Sequence, residues 1–448
     1  TDLWVAPIAE DGSVGDPAHV AGGVAESIAQ PRWAPDGSLV YASDRSDWWN
    51  LYRWRQGASG SAEIAPMEAE IGGPQWVFGL SEYDVDDDGT IVAFANGPEG
   101  SSLLALRQGE APRRIATDAM ACSYLRAQDG FLTCVMSSPT SPSAIVRLEL
   151  EGDRSERLRE SSTLDVDAAH LSTPELISFP SSGGRTAYAR YYPPTNPDVT
   201  APPGSLPPLV VMSHGGPTSQ ARNSLSLARQ VFTSRGFAVA DVDYGGSTGY
   251  GRAYREQLHQ AWGQVDVDDC TAAATYLADA GLVDGERMAI RGGSAGGYTT
   301  LASLCFKDVF SAGTSFYGLG DLAVFTTITH KFESRYMDYL VGPYPQEEQR
   351  YRDRSPNFFA DRISCPVLVM QGSDDKIVPP SQAEGIVASL QRNGLPHAYL
   401  LFEGEGHGFR QAENQRRALE AELSFYAQVF GFELADDFAP LEIVGLSG

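Results

Sequence analysis

A chain of 448 residues with 42% apolar and 20% charged side chains has a globular composition, and its length predicts two domains, each able to bury a core. Its 58 acidic against 33 basic residues leave a formal charge of −25, which argues against nucleic acid as a partner, because a polyanion is repelled over most of such a surface. No apolar run approaches 18 residues, so no membrane span is expected. The chain opens Thr1-Asp2-Leu3-Trp4, with neither the basic nor the apolar stretch of a secretory leader. Five scattered cysteines (Cys122, Cys134, Cys270, Cys305, Cys365) lack metal spacing and read as buried free thiols of a reducing, cytoplasmic compartment.

Up to about residue 165, short β-rich runs alternate with Asp-Gly turns. The runs are Ala34-Pro35-Asp36-Gly37 into Ser38–Ala42, Asp87-Asp88-Gly89 into Thr90–Phe94, and the weaker Asp129-Gly130 into Phe131–Val135. The turn glycines Gly37, Gly89 and Gly130 stand 52 and 41 residues apart, about the length of a four-stranded propeller blade. Residues 1–8 read as the last strand of a blade whose beginning is missing. Three blades and a fraction cannot close a ring of the usual four to eight. Residues 1–165 are therefore expected to form the C-terminal blades of an incomplete β-propeller; an open β-meander is the alternative.

From residue 166 to 448 the pattern changes to strand–helix alternation, the signature of a mostly parallel, doubly wound sheet in an α/β domain. Strands are expected at 208–212, 237–242, 287–291, 367–370 and 398–402. Helices are expected at Asp266–Ala280, whose acidic first turn suits the helix dipole, and near the end, where Leu419, Leu423, Tyr426 and Phe430 share one face. The Pro-rich 193–208 stretch reads as a surface loop, and the tail after Phe432 as loosely held.

Two stretches match G-x-S-x-G, the pattern of a nucleophile elbow in which a strained strand-to-helix turn exposes a serine. They are Gly245-Gly246-Ser247-Thr248-Gly249 and Gly292-Gly293-Ser294-Ala295-Gly296. Ser294 follows a strand directly and precedes small residues able to start a helix at once, so it is the candidate nucleophile. Ser247 is followed by Thr-Gly-Tyr-Gly with no helix at hand and reads as a loop residue. A serine nucleophile needs a base and an orienting carboxylate, here in the order Ser, acid, His. His397 precedes its strand, at the wrong end for a site at the strands' carboxyl edge. His407 follows that strand, in a Gly-rich loop, and is the candidate base. The acid should leave the preceding strand, where Asp374 and Asp375 are adjacent; Asp374 is preferred, with an Asx-turn the alternative role of Asp375. Oxyanion donors are expected from the backbone N–H of Ala295 and from the loop His214-Gly215-Gly216-Pro217. The acidic residues form no metal constellation, and no cofactor is called for.

With these residues in hand, the sequence resembles the prolyl oligopeptidase family of serine peptidases, in its acylaminoacyl peptidase and dipeptidyl aminopeptidase branch. The motifs are His214-Gly-Gly-Pro217, Gly246-Ser-Thr-Gly-Tyr-Gly251, Gly292-Gly-Ser-Ala-Gly-Gly297, Gly372-Ser-Asp-Asp375 and Gly406-His-Gly-Phe409. The resemblance implies an α/β-hydrolase domain capped by a propeller that screens the site from large folded proteins. It assigns the triad to Ser294, Asp374 and His407. Residues 213–217 contain no tyrosine of the kind some branches use for the oxyanion, which leaves the N–H of Gly216 as second donor. By the same transfer, Lys376 contacts the substrate backbone, and Phe316, Leu319 and Phe332 line the pocket beside the scissile bond; core packing is an equal reading of those three. The function expected is a serine exopeptidase acting on short peptides or aminoacyl amides through an acyl-enzyme. The runner-up is a carboxylesterase or amidase acting on a small non-peptide compound, and the remote alternative is a binding propeller with a dead hydrolase. A homo-oligomer is compatible with the sequence.

Overall fold

The computed structural model describes residues 1–446. It divides into two compact units: Thr1–Asp165 with Arg222–Leu225 and Thr248–Arg255, and Val166–Ala221 with Ser226–Ser247 and Glu256–Gly448.

The first unit contains three antiparallel sheets of four strands each and a two-stranded ribbon. The sheets comprise Ile28–Trp33, Leu39–Ser46, Trp48–Trp54 and Ala62–Ile64; then Tyr83–Val85, Ile91–Gly97, Gly100–Leu106 and Arg113–Arg114; then Ala121–Gln128, Phe131–Ser138, Ser141–Glu149 and Ser155–Glu160. Each Asp-Gly pair turns the first strand of a sheet into the second, and the left-handed φ of Gly37, Gly89 and Gly130 (76–85°) is what glycine permits without a Cβ clash. Residues on and just before the first strand of the second sheet link it to the sheets on either side. The Tyr83 hydroxyl donates to Val40 O (2.9 Å), Ser81 Oγ to Leu125 O (3.1 Å), and Ala127 N–H to Asp84 Oδ2 (3.0 Å). Asp2–Val5 pairs with the downstream strand Ala18–Gly22.

The second unit is built on one eight-stranded sheet. Its strands are β1 (Glu175–Pro180), β2 (Thr186–Tyr192), β3 (Leu209–Ser213), β4 (Ala238–Asp243), β5 (Met288–Gly293), β6 (Ala312–Phe316), β7 (Val367–Gly372) and β8 (His397–Phe402). The spatial order is β1-β2-β4-β3-β5-β6-β7-β8. β2 runs antiparallel to both its neighbours, β1 and β4, and β3 to β8 are all parallel, the arrangement of an α/β hydrolase. Both faces are covered, which is why its strands read as continuous apolar runs. Leu209 and Val211 point to one core, Val210 and Met212 to the other; Val367 and Val369 likewise oppose Leu368 and Met370. The helices α1 (Leu227–Thr233) and α4 (Ala412–Phe430) lie against one face, and α2 (Val265–Asp279) and α3 (Ala295–Phe306) against the other. The closing helix α4 buries Leu423, Phe425 and Tyr426 against that first face.

The tail after Phe432 departs from the expectation of loose packing. Phe432, Leu434, Phe438, Leu441 and Ile443 rest on the core beneath α4, and Val444 exchanges backbone hydrogen bonds with His397 (3.0 and 2.8 Å). Its apolar residues have no period because they dock singly, without forming a helix or extended strand.

Candidate active site

Ser294 sits between β5 and α3 with φ 58° and ψ −121°, a conformation costly for a residue with a Cβ and sustained only by its surroundings. The glycines around it are demanded by contact. A Cβ on Gly292 would lie 2.4 Å from Gly296 C, and one on Gly296 would lie 2.1 Å from Ser213 O. Because α3 starts at Ala295, that residue's N–H belongs to the unpaired first turn, at the positive end of the helix dipole.

His407 lies in the loop after β8, and its Nε2 is 2.9 Å from Ser294 Oγ. Its Nδ1 is 2.8 Å from Asp375 Oδ2. These partners assign the proton to Nδ1, which donates to the carboxylate, leaving Nε2 to accept from the serine hydroxyl. The ring of Tyr317 packs at 4.8 Å from the imidazole and Phe409 packs against Tyr317 at 5.6 Å, forming an aromatic support on one side of His407. Tyr317 holds a positive φ of 38° while its N–H donates to Met370 O (2.7 Å).

The carboxylate in this line is Asp375, and the preference for Asp374 is corrected. Asp374 N–H donates to Glu405 O (2.9 Å), a bond that fixes the backbone so that its side chain stays exposed. Asp375 is 3% exposed. Its Oδ1 accepts from the N–H groups of Ile377 and Val378 (both 2.9 Å), leaving Oδ2 for His407. The Asx-type turn and the support of histidine are therefore one arrangement. The turn immobilises the carboxylate that orients the imidazole.

The loop after β3 brings Gly215 close to the serine: a Cβ there would lie 3.5 Å from Ser294 Cβ and 3.1 Å from Gly293 O. Gly216 has φ 124°. A small cavity includes Gly216, Ser294 and Ala295 in its wall. The rest is largely apolar, with Trp262, Leu319, Phe325 and Met337 among the residues, and Glu333 contributes a carboxylate.

Comparisons with known proteins supply the family and the fold likeness. The family model "Prolyl oligopeptidase family" matches residues 223–433. A puromycin-hydrolyzing peptidase of Mycobacterium tuberculosis superposes with a TM-score of 0.95 at 42% identity, over 99% of this chain and 67% of that one. This chain belongs to the prolyl oligopeptidase family. The structure of a puromycin hydrolase is similar with a TM-score of 0.93 and 43% identity, over 99% of this chain and 67% of its own. Dipeptidyl aminopeptidase BIII of Pseudoxanthomonas mexicana is 31% identical over half of this chain and 33% of its own length. The chain thus spans about a third of the length of two curated relatives that it matches.

Of the residues that the family resemblance placed at the substrate, Leu319 lines the cavity. Phe316 does not: it is buried in the core with Phe402 and Tyr426 and lies under the Arg291 guanidinium at 4.8 Å. As the last residue of β6 it takes its direction from strand alternation, which turns it toward α4. Phe332 is 62% exposed, and Lys376 is exposed on the turn after Asp375; neither is in the cavity wall. Glu333 was not found from sequence, because it lies in the short 3-10 turn Lys331–Glu333, which has no periodicity to mark an inward face. Tyr317 was missed as well. Among the described residues no cluster of His, Cys, Asp and Glu could hold a metal ion, and no helix is long and apolar enough to cross a membrane.

Proposed function

We propose that the chain carries the catalytic machinery of a serine exopeptidase that hydrolyses short peptides or aminoacyl amides. Ser294 attacks the carbonyl carbon, and His407 takes its proton and delivers it to the leaving amine. Asp375 holds the imidazole and stabilises its charged form, and the N–H groups of Ala295 and Gly216 receive the developing oxyanion. Water, activated by the same histidine, then releases the acid from the acyl-enzyme. The unbroken line Ser294 Oγ, His407, Asp375, at 2.9 and 2.8 Å, carries this reading. The cavity supports a preference: its apolar wall suits the side chain of the residue that donates the carbonyl, and Glu333 suits a cationic group such as a free amino terminus. The four-stranded sheets of residues 1–165 support a role as blades of a propeller that restricts access to small substrates.

The similarity to two structures described as puromycin-hydrolysing favours a second reading, an amidase that acts on a small non-peptide compound. A panel of chromogenic substrates separates the two: free aminoacyl, dipeptidyl and N-acetyl-aminoacyl amides, a simple ester, and puromycin itself. Fast turnover of aminoacyl or dipeptidyl amides establishes the exopeptidase. Turnover confined to puromycin or the ester would sink it.

A further inference from the structure

The second G-x-S-x-G motif is not idle. Ser247 is fully buried, and its Oγ lies 2.7 Å from His214 Nε2. The other ring nitrogen of His214 is 2.9 Å from Gly215 O, so Nδ1 is read as the protonated donor and Nε2 as the acceptor of the Ser247 hydroxyl. The Tyr244 ring stacks on His214, with centroids 4.2 Å apart and planes at 17°. Its hydroxyl donates to His214 O (2.9 Å) and lies 3.3 Å from Pro217 O. Burial holds the pKa of His214 below its ordinary value, which keeps the imidazole neutral and able to accept at Nε2.

The residues gripped in this way, His214 to Pro217, form the loop that approaches Ser294. Ser247 itself stands on a fixed base, because Gly245 N–H donates to Asp269 Oδ2 (2.7 Å), and Asp269 is paired with Arg185 at 2.7 Å. The far end of the loop is held by Tyr336, whose hydroxyl accepts from Thr218 N–H (3.0 Å). Between these anchors Gly216, with no side chain to restrain it and a left-handed φ, would otherwise be free to swing its N–H.

We propose that Ser247 and His214 form a second serine–histidine pair that breaks no bond and instead fixes the Gly216 N–H as oxyanion donor. Ser247 is therefore a positioning residue. The inference rests on the peptidase reading above, since a donor has a role only where an oxyanion forms.

The test uses the complete protein with Ser247→Ala and, as an independent variant that keeps the aromatic stack, Tyr244→Phe. Three quantities are compared: kcat and KM on a chromogenic aminoacyl amide; inhibition by the matching aminoacyl aldehyde, which forms a tetrahedral adduct on serine; and inhibition by the matching amino alcohol, which does not. Removing a hydroxyl that steadies one donor is expected to lower kcat about tenfold. The aldehyde should weaken by the same factor, while KM, alcohol binding and melting temperature stay unchanged. Unchanged kcat, or an equal loss for aldehyde and alcohol, would overturn the positioning role even though the enzyme is active. A wild-type protein that hydrolyses no amide and whose Ser294 ignores a phosphonylating probe would overturn the peptidase reading and this proposal with it.

Discussion

Residues 245–249 and 292–296 spell the same five-residue pattern, and the two serines end in opposite circumstances. At Ser294 a helix begins on the next residue, and Gly292 and Gly296 let the turn close against Ser213 O. The hydroxyl is left facing a cavity. Ser247 has no such helix behind it; its N–H closes a turn onto Tyr244 O (2.9 Å) and its side chain is sealed against His214. A glycine-flanked serine is thus only a statement about backbone freedom. Whether the hydroxyl attacks or braces is decided by the element that follows it and by what closes over it.

The largest effect expected is that of Ser294→Ala, which should lower kcat by about 10⁴- to 10⁶-fold because the triad acts as a unit. The same change at Ser247 should cost only about tenfold. Active-site titration with a phosphonylating probe followed by peptide mapping checks this directly. Label on Ser247, or comparable losses in the two variants, would erase the distinction.

Next in size is the contrast between the adjacent acids. Asp375→Asn should lower kcat by about 10³- to 10⁴-fold, since an amide donates where the imidazole needs an acceptor. Asp374→Asn, on an exposed side chain, should stay within about twofold. Steady-state kinetics of the pair would reveal a reversed order at once. A smaller effect is expected at Glu333, whose Oε2 accepts from Thr329 Oγ1 (3.1 Å). Glu333→Gln should raise KM about tenfold for substrates with a free amino group, the scale of a lost charge-assisted hydrogen bond, and leave N-acetylated ones unaltered. Equal changes for both classes would show that Glu333 shapes the cavity without recognising charge.

These contrasts also show where sequence reasoning reached and where it stopped. The strands 208–212, 237–242 and 367–370 were legible because a sheet buried on both faces writes uninterrupted apolar runs. Ser294 and His407 were legible because each leaves the carboxyl end of such a strand in a Gly-rich turn. Asp375 was not, since the choice between neighbours is made by Asp374 N–H bonding to Glu405 O, a contact 31 residues along the chain. The Ser247–His214 bond spans 33 residues, and no local pattern announces it. Glu333 and Tyr317 sit in irregular backbone, where side-chain direction follows no period. In each case the missing information is long-range packing.

The smallest expected effect lies in how α2 supports the two serines. Asp269 reaches Gly245 of the second motif with Arg185 as its cation. Asp266, one turn earlier, accepts from Thr299 Oγ1 of α3 (2.6 Å) and from Gly263 N–H (2.6 Å). Burial raises its pKa from 3.8 to about 6, with the charge of Asp269 adding to the rise. An acid whose pKa is higher in the folded state holds its proton more tightly there. Stability therefore falls as the pH climbs from about 4 to about 6, and the loss is complete above that window. Asp266→Asn can still accept from Gly263 and cannot titrate, so its stability relative to the wild type should rise across the window and level off above it. Urea midpoints at pH 4, 5, 6 and 7 measure the difference. A constant offset would mean that Asp266 titrates alike in both states, and that the helix behind Ser294 is braced as independently of pH as the loop behind Ser247.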